Sequence, residues 1–90
     1  MKIAMTERVY KDPETGEESW TPMWDTNMDS LQEAVEFAET LGHYVVSAFV
    51  DWGNQPCVVM ARQDTQCMFL SVNDSDREWF ELFIGEPVAW

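Results

Sequence analysis

Residues 2–10 (Lys-Ile-Ala-Met-Thr-Glu-Arg-Val-Tyr) alternate apolar and polar side chains well enough to predict a β-strand. The next stretch, Lys11-Asp12-Pro13-Glu14-Thr15-Gly16-Glu17, predicts a turn. Pro13 presets φ for a type I turn, and Gly16 suits a left-handed closing position. A returning strand is expected over about 17–25. Its Pro22 lacks an N–H and so favours a sheet edge.

The pattern then changes period. Leu31, Ala34, Val35, Ala38 and Leu41 fall on one i, i+3, i+4 stripe, as in a helix with one face toward a core. Ser30-Leu31-Gln32-Glu33 has the form of a capping box, and Gly42 stands where a left-handed C-terminal cap would fall. Three strands follow at about 43–52, 57–63 and 66–72, separated by turns at Gly53-Asn54-Gln55-Pro56 and Gln63-Asp64-Thr65-Gln66. A second capping box, Ser75-Asp76-Arg77-Glu78, opens a short helix that carries Trp79, Phe80 and Phe83 and ends at Gly85. The tail 86–90 ends in Trp90, which can fold back on the body.

The order is therefore ββαβββα. It predicts an α+β fold: an antiparallel sheet of four to five strands with two helices packed on one face, residues 1–90 making a single acidic domain. A hairpin tip at Asp64-Thr65 places Met60 opposite Phe69 and Ala61 opposite Met68. Pairing Trp52 with Cys57 then puts Phe49 beside Met60. In that register Val46, Ala48, Val50, Val59, Ala61, Leu70 and Val72 form the core side. Phe49, Met60 and Phe69 line the other, where they either lie under Trp20 and Trp24 or meet a second copy. The assignment is conditional, because a one-residue slip reverses the faces.

Composition sharpens this picture. An apolar share of 46% with five Trp and five Phe gives 90 residues enough to bury, unlike a disordered acidic segment. No apolar run is long enough for a membrane helix, and Met1–Arg8 lacks the apolar stretch of a signal peptide. The expected location is cytoplasmic. Cys57 and Cys67 then read as reduced, buried thiols, set far apart on opposite sheet faces.

Charge changes the picture most. The chain holds 17 Asp/Glu against five Lys/Arg, a formal charge of −12. Between Asp12 and Ala61 there are ten carboxylates and no lysine or arginine. Asp29, Glu33, Glu36 and Glu39 spread over the polar side of the first helix with no basic residue at i±4. Such a molecule repels nucleic acid and anionic membrane and attracts basic protein surfaces. The acidity serves either solubility alone or mimicry, with carboxylates standing in for phosphates in a Lys/Arg-lined channel.

Catalytic chemistry is not indicated. The one histidine, His43, sits just past the helix cap, where a structural role suffices. No nucleophile elbow, phosphate-binding glycine loop or paired-cysteine zinc motif occurs, so no catalytic residue, metal or cofactor is expected. Asn73-Asp74-Ser75-Asp76-Arg77-Glu78 has a faint calcium-loop look but lacks the glycine and distal glutamate, and helix capping accounts for it. Residues 30–84 share the αβββα order of double-stranded-RNA-binding domains. Their second helix, however, carries Arg77 alone where such domains need lysines.

The cluster of Trp20, Trp24 and Trp52 with Met23 and Met28 adds large apolar side chains beyond what turn-flanking segments usually hold, with Trp20 and Trp24 as candidate anchors. Strand parity sends Trp20 and Trp24 to the same side. The expected partner-binding set is Glu14, Glu17, Glu18, Asp25, Asp29, Glu33, Glu36 and Glu39 with Trp20 and Trp24.

In size, acidity and aromatic content the chain resembles small phage-encoded inhibitors, anti-CRISPR proteins foremost and anti-restriction DNA mimics next. Asp25-Thr26-Asn27-Met28-Asp29-Ser30-Leu31-Gln32-Glu33-Ala34, with Val35-Glu36-Phe37-Ala38-Glu39, is similar to a strand-then-acidic-helix passage in a phage inhibitor of bacterial RNA polymerase. That similarity covers 15 residues and transfers no functional residue. The class resemblance implies a non-enzymatic inhibitor, monomer or homodimer, that blocks the basic surface of a CRISPR effector, nuclease or polymerase. An immunity protein or antitoxin against a basic nuclease uses the same physics with a different partner. An accessory domain that is acidic only for solubility is the other alternative.

Overall fold

The computed structural model describes residues 1–9, 20–63 and 65–90. Its elements are β1 (Ala4–Val9), β2 (Trp24–Asp25), α1 (Leu31–Thr40), β3 (Tyr44–Val50), β4 (Pro56–Arg62), β5 (Thr65–Leu70) and α2 (Asp76–Ile84). Every strand pairing is antiparallel, and the five strands lie in the order β2-β1-β5-β4-β3. This is the α+β class and the ββαβββα order expected from the pattern. The expected turn at 11–17 lies outside the described residues, and the returning strand is ladder-paired only at Trp24–Asp25.

Register is where expectation and structure part. Asp51, not Gly53, organises the β3–β4 turn: its Oδ1 accepts the amides of Gly53 (3.0 Å) and Gln55 (2.9 Å), and Asn54 takes the left-handed φ of 58°. The turn thus consumes Trp52 and leaves Pro56 to open β4. Phe49, rather than Trp52, comes to stand opposite Cys57. That shift is three residues, an odd number, so β3 changes face relative to β4. At the β4–β5 hairpin Arg62 pairs with Thr65, Met60 faces Cys67, and Val58 faces Phe69. Moving the tip one residue earlier displaces that pairing by two and leaves the faces matched.

The consequence is a reversal on β4 and β5. Val58, Met60, Cys67 and Phe69 point into the core with Ile3, Leu31, Ala34, Val35, Ala38 and Phe80. Ala48 and Val50 pack against that cluster, as expected for β3. Val59 and Ala61 lie on the opposite face, where they are nonetheless buried. Met60 and Phe69 therefore cannot form an exposed row with Phe49, and the dimer surface built on that row is ruled out. A bulge between Val45 and Ser47 takes Val46 out of alternation and leaves it exposed; Val72, beyond β5, is also exposed.

Helix ends follow local chemistry. Ser30 Oγ accepts the Glu33 amide at 3.1 Å, one half of the expected box, while Glu33 Oε2 accepts the amide of Asp29, the residue before the cap, at 3.2 Å. At the other end Gly42 has φ 88°, with Gly42 N–H donating to Glu39 O and His43 N–H to Ala38 O, both at 3.0 Å. Arg62 Nη1 adds a bond to Leu41 O at 3.0 Å. Leu41 is half-exposed at this cap rather than part of the core.

The second box does not form. Ser75 precedes α2 without a side-chain bond, because Asp76 turns inward instead. The tail does fold back. Trp90 meets Phe80 edge-on with centroids 6.1 Å apart and donates its indole N–H to Glu81.

Candidate protein-binding surface

The polar side of α1 is a row of carboxylates. Its stripe of Leu31, Ala34, Val35 and Ala38 is buried against β4 and β5, which turns Glu33, Glu36 and Glu39 outward. Asp29 extends the row just before the helix. Lys2 Nζ lies 2.7 Å from Asp29 Oδ1 and also donates to Asn27 O. That hydrogen bond and charge hold the Asp29 carboxyl below its ordinary value. Gln32 donates to Glu36 at 3.2 Å.

None of Glu33, Glu36 and Glu39 has a cationic partner among the described residues. Glu39 stands near the negative end of the helix dipole, an unfavourable place for a carboxylate. A sequence selected for helix stability alone would place lysine there.

The tryptophans occupy the β2 side of the sheet and do not share a face. Trp24 is paired with Met5, whose side chain packs on the helix-side core. Trp20 lies outside the ladder, where the Arg8 guanidinium sits 4.6 Å from its ring centroid. Arg8 donates to Gln66 at 2.6 Å, on the face away from the helices. The parity argument fails because residues 20–23 are held by Thr21 instead of by a regular strand. Thr21 N–H donates to Glu7 O at 2.8 Å, and Thr6 Oγ1 donates to Thr21 O. Both tryptophans are partly exposed, with Met23 beside them in sequence.

Of the ten expected binding residues, Asp29, Glu33, Glu36 and Glu39 form one row along α1. Asp25, Trp24 and Trp20 belong to the β2 edge. Glu14, Glu17 and Glu18 lie outside the described residues. The expected set omitted Phe37, which is exposed beside Glu36, and Trp52, counted in the aromatic cluster but not among the binding residues, which is fully exposed at the tip of the β3–β4 turn. Phe37 was legible as the aromatic that falls off the helix's apolar stripe. The full exposure of Trp52 was not, because it depends on Asp51 capturing the turn.

Groups with chemical potential are otherwise engaged. Asp76 is buried and accepts hydrogen bonds from Leu31 N–H and the Ser71 hydroxyl; Asp74 pairs with Arg77 at 3.4 Å. His43 Nδ1 lies 3.2 Å from Ala38 O. Among the described residues no cluster of three or more His, Cys, Asp or Glu could hold a metal ion. No helix among them is long and apolar enough to cross a membrane.

Both cysteines are free and buried on opposite faces. Burial pushes the Cys57 thiol up to about 12 and the Cys67 thiol up to about 11, with Asp51 and Glu7 respectively adding repulsion. Neither is a ready nucleophile. Compared with family models, curated proteins and solved structures, the chain matches none, so the surface has to be read from its own chemistry.

Proposed function

We propose that this protein is a non-enzymatic inhibitor that occupies the basic, nucleic-acid-binding surface of another protein complex, such as a CRISPR effector, a nuclease or a polymerase. The observation that carries this reading is the α1 row. Glu33, Glu36 and Glu39 stand outward on a rigid helix with no cation among the described residues to neutralise them. A basic groove supplies the missing partners, and the molecule's overall charge of −12 draws it there through a long-range field. Phe37 within the row, and Trp20 and Trp24 at the β2 edge, add apolar contact that slows dissociation.

The test is capture of partners from a bacterial lysate at low salt and at ~0.5 M salt, where the Debye length falls to a few Å. The expected result is a nucleic-acid-binding complex that salt removes and that DNA or RNA displaces. The Glu33→Lys, Glu36→Lys variant, which touches no core position, loses that complex. Capture that ignores both salt and the double reversal would overturn the reading.

A further inference from the structure

The C-terminal turn of α2 builds a groove apart from the α1 row. Gly85 takes the left-handed φ of 77°, and its N–H and that of Glu86 both donate to Glu81 O, at 2.9 and 3.2 Å. This cap turns the chain back, so that Glu86 and Pro87 stand beside the last turn of the helix. Val88 and Trp90 then pack on the core, which fixes the returning segment at its other end. Glu78, Glu81, Leu82, Gly85, Glu86 and Pro87 line the resulting groove, which encloses about 350 Å³.

The lining combines an apolar strip with acceptors that lack donors. Leu82 is 76% exposed. None of Glu78, Glu81 and Glu86 has a cationic partner among the described residues. Arg77, the cation of this helix, is drawn away: it pairs with Asp74 at 3.4 Å and lies 5.1 Å from the Trp90 ring centroid. Glu81 accepts the Trp90 indole N–H on Oε1, which leaves its second oxygen open. Pro87 has no N–H to offer the Phe83 carbonyl. No main-chain N–H among the described residues donates to the carbonyls of Leu82, Phe83 or Ile84. The negative end of the helix dipole thus adds to three carboxylates.

We propose that this groove binds an arginine side chain on a segment of a partner protein. The methylene stem covers Leu82 and Pro87, and the guanidinium pairs with the carboxylates at the rim. Charge selects this occupant. An apolar segment would bury carboxylates without a counter-ion, and a second copy, itself at −12, would bring more negative charge. Lysine offers a compact point charge, whereas the guanidinium spreads five donors over separated acceptors. The groove uses no residue of the α1 row, so this inference stands or falls apart from the proposed inhibitor role.

Nuclear magnetic resonance titration at physiological salt tests it. The probe is a capped pentapeptide with arginine at its centre, leucine on either side and glycine at each end. The expected result is saturable shifts of the Leu82 methyls, the Gly85 amide and the Trp90 indole N–H. Replacing the arginine by its neutral isostere citrulline weakens binding about tenfold or more, as for loss of a charge-assisted hydrogen bond. The Glu78→Gln, Glu86→Gln variant weakens it to a similar extent. Glu33→Gln, Glu36→Gln leaves the dissociation constant within about twofold, because salt screens the field of the α1 row. Absence of shifts at Leu82 at millimolar peptide overturns the proposal. Equal binding of the citrulline peptide, which would mark an apolar occupant, or unchanged binding in Glu78→Gln, Glu86→Gln, overturns it as well. Shifts at Leu82 produced by raising the protein concentration alone would mark a second copy and also overturn it. Amide spectra of each variant verify that the fold is retained.

Discussion

The carboxylate of Asp76 accepts the main-chain N–H of Leu31 at 3.1 Å, joining two positions 45 apart in the chain. Its other oxygen accepts the Ser71 hydroxyl. One buried side chain thus satisfies an otherwise orphaned donor in the first turn of α1, holds the segment after β5, and opens α2. Asn73 continues the link, donating to Met1 O at 2.8 Å and Asp29 O at 3.2 Å. This polar knot ties the start of α1 to the start of α2.

Asp76→Ala leaves the Leu31 amide and the Ser71 hydroxyl buried without their acceptor. The expected loss is about 2–3 kcal/mol, read from urea unfolding. Asp76→Asn keeps one carbonyl acceptor and recovers part of it. Equal losses for the two variants would mean that the knot acts through charge rather than through acceptance.

The helix-side assignment of β5 is checked by a pair of truncations. Phe69→Ala empties a core position and is expected to cost about 3–5 kcal/mol. Trp52→Ala, at a fully exposed position, is expected to change stability by less than about 0.5 kcal/mol. A large cost at Trp52 would show that the β3–β4 turn is packed rather than displayed.

The buried thiols predict an alkaline limit. Both folded values lie above the ordinary 9.0, so the neutral thiols' contribution is complete below pH 9. It is lost as pH rises from 9 through about 11 to 12. Unfolding free energy should fall more steeply above pH 9 in the wild type than in the Cys57→Ala, Cys67→Ala variant. Parallel curves would remove the thiols from the account. At pH 8 alkylation of either thiol by iodoacetamide should be far slower than in the unfolded chain.

At the acid end the Lys2–Asp29 pair has the opposite sign. Asp29 lies below its ordinary value of 3.8, so its contribution is present above that pH and lost as pH falls through the folded value. Lys2→Met should return the Asp29 titration, followed by NMR, to near 3.8. The pair is exposed, and added salt should produce part of the same change in the wild type. An unchanged midpoint in Lys2→Met would mean that Lys2 is not what depresses it.

Much of this architecture is local and therefore legible from the chain. The α1 stripe, its Ser30 cap and the Gly42 cap depend on residues within a few positions of one another. The strand count and element order follow from patterns of the same range. The outward carboxylates of α1 come with the stripe, because a helix that buries Leu31, Ala34, Val35 and Ala38 has no other side on which to put Glu33 and Glu36.

Register is not local in that sense. Which face of β4 is core turned on whether Asp51 or Gly53 organised the turn, a competition between hydrogen bonds that changes the pairing by three residues. Apolar residues on both faces of β4, Val58 and Met60 on one side and Cys57, Val59 and Ala61 on the other, left the alternation with nothing to discriminate. The direction of Trp20 likewise depended on Thr21 bonding β1 out of ladder geometry, and that of Asp76 on an amide 45 residues away. The sequence alone determined the fold class, the helix faces and the acidity. Tertiary packing decided the sheet's core side, the bare edge at β3 and the display of Trp52, because each rests on contacts between segments whose separation no local pattern encodes.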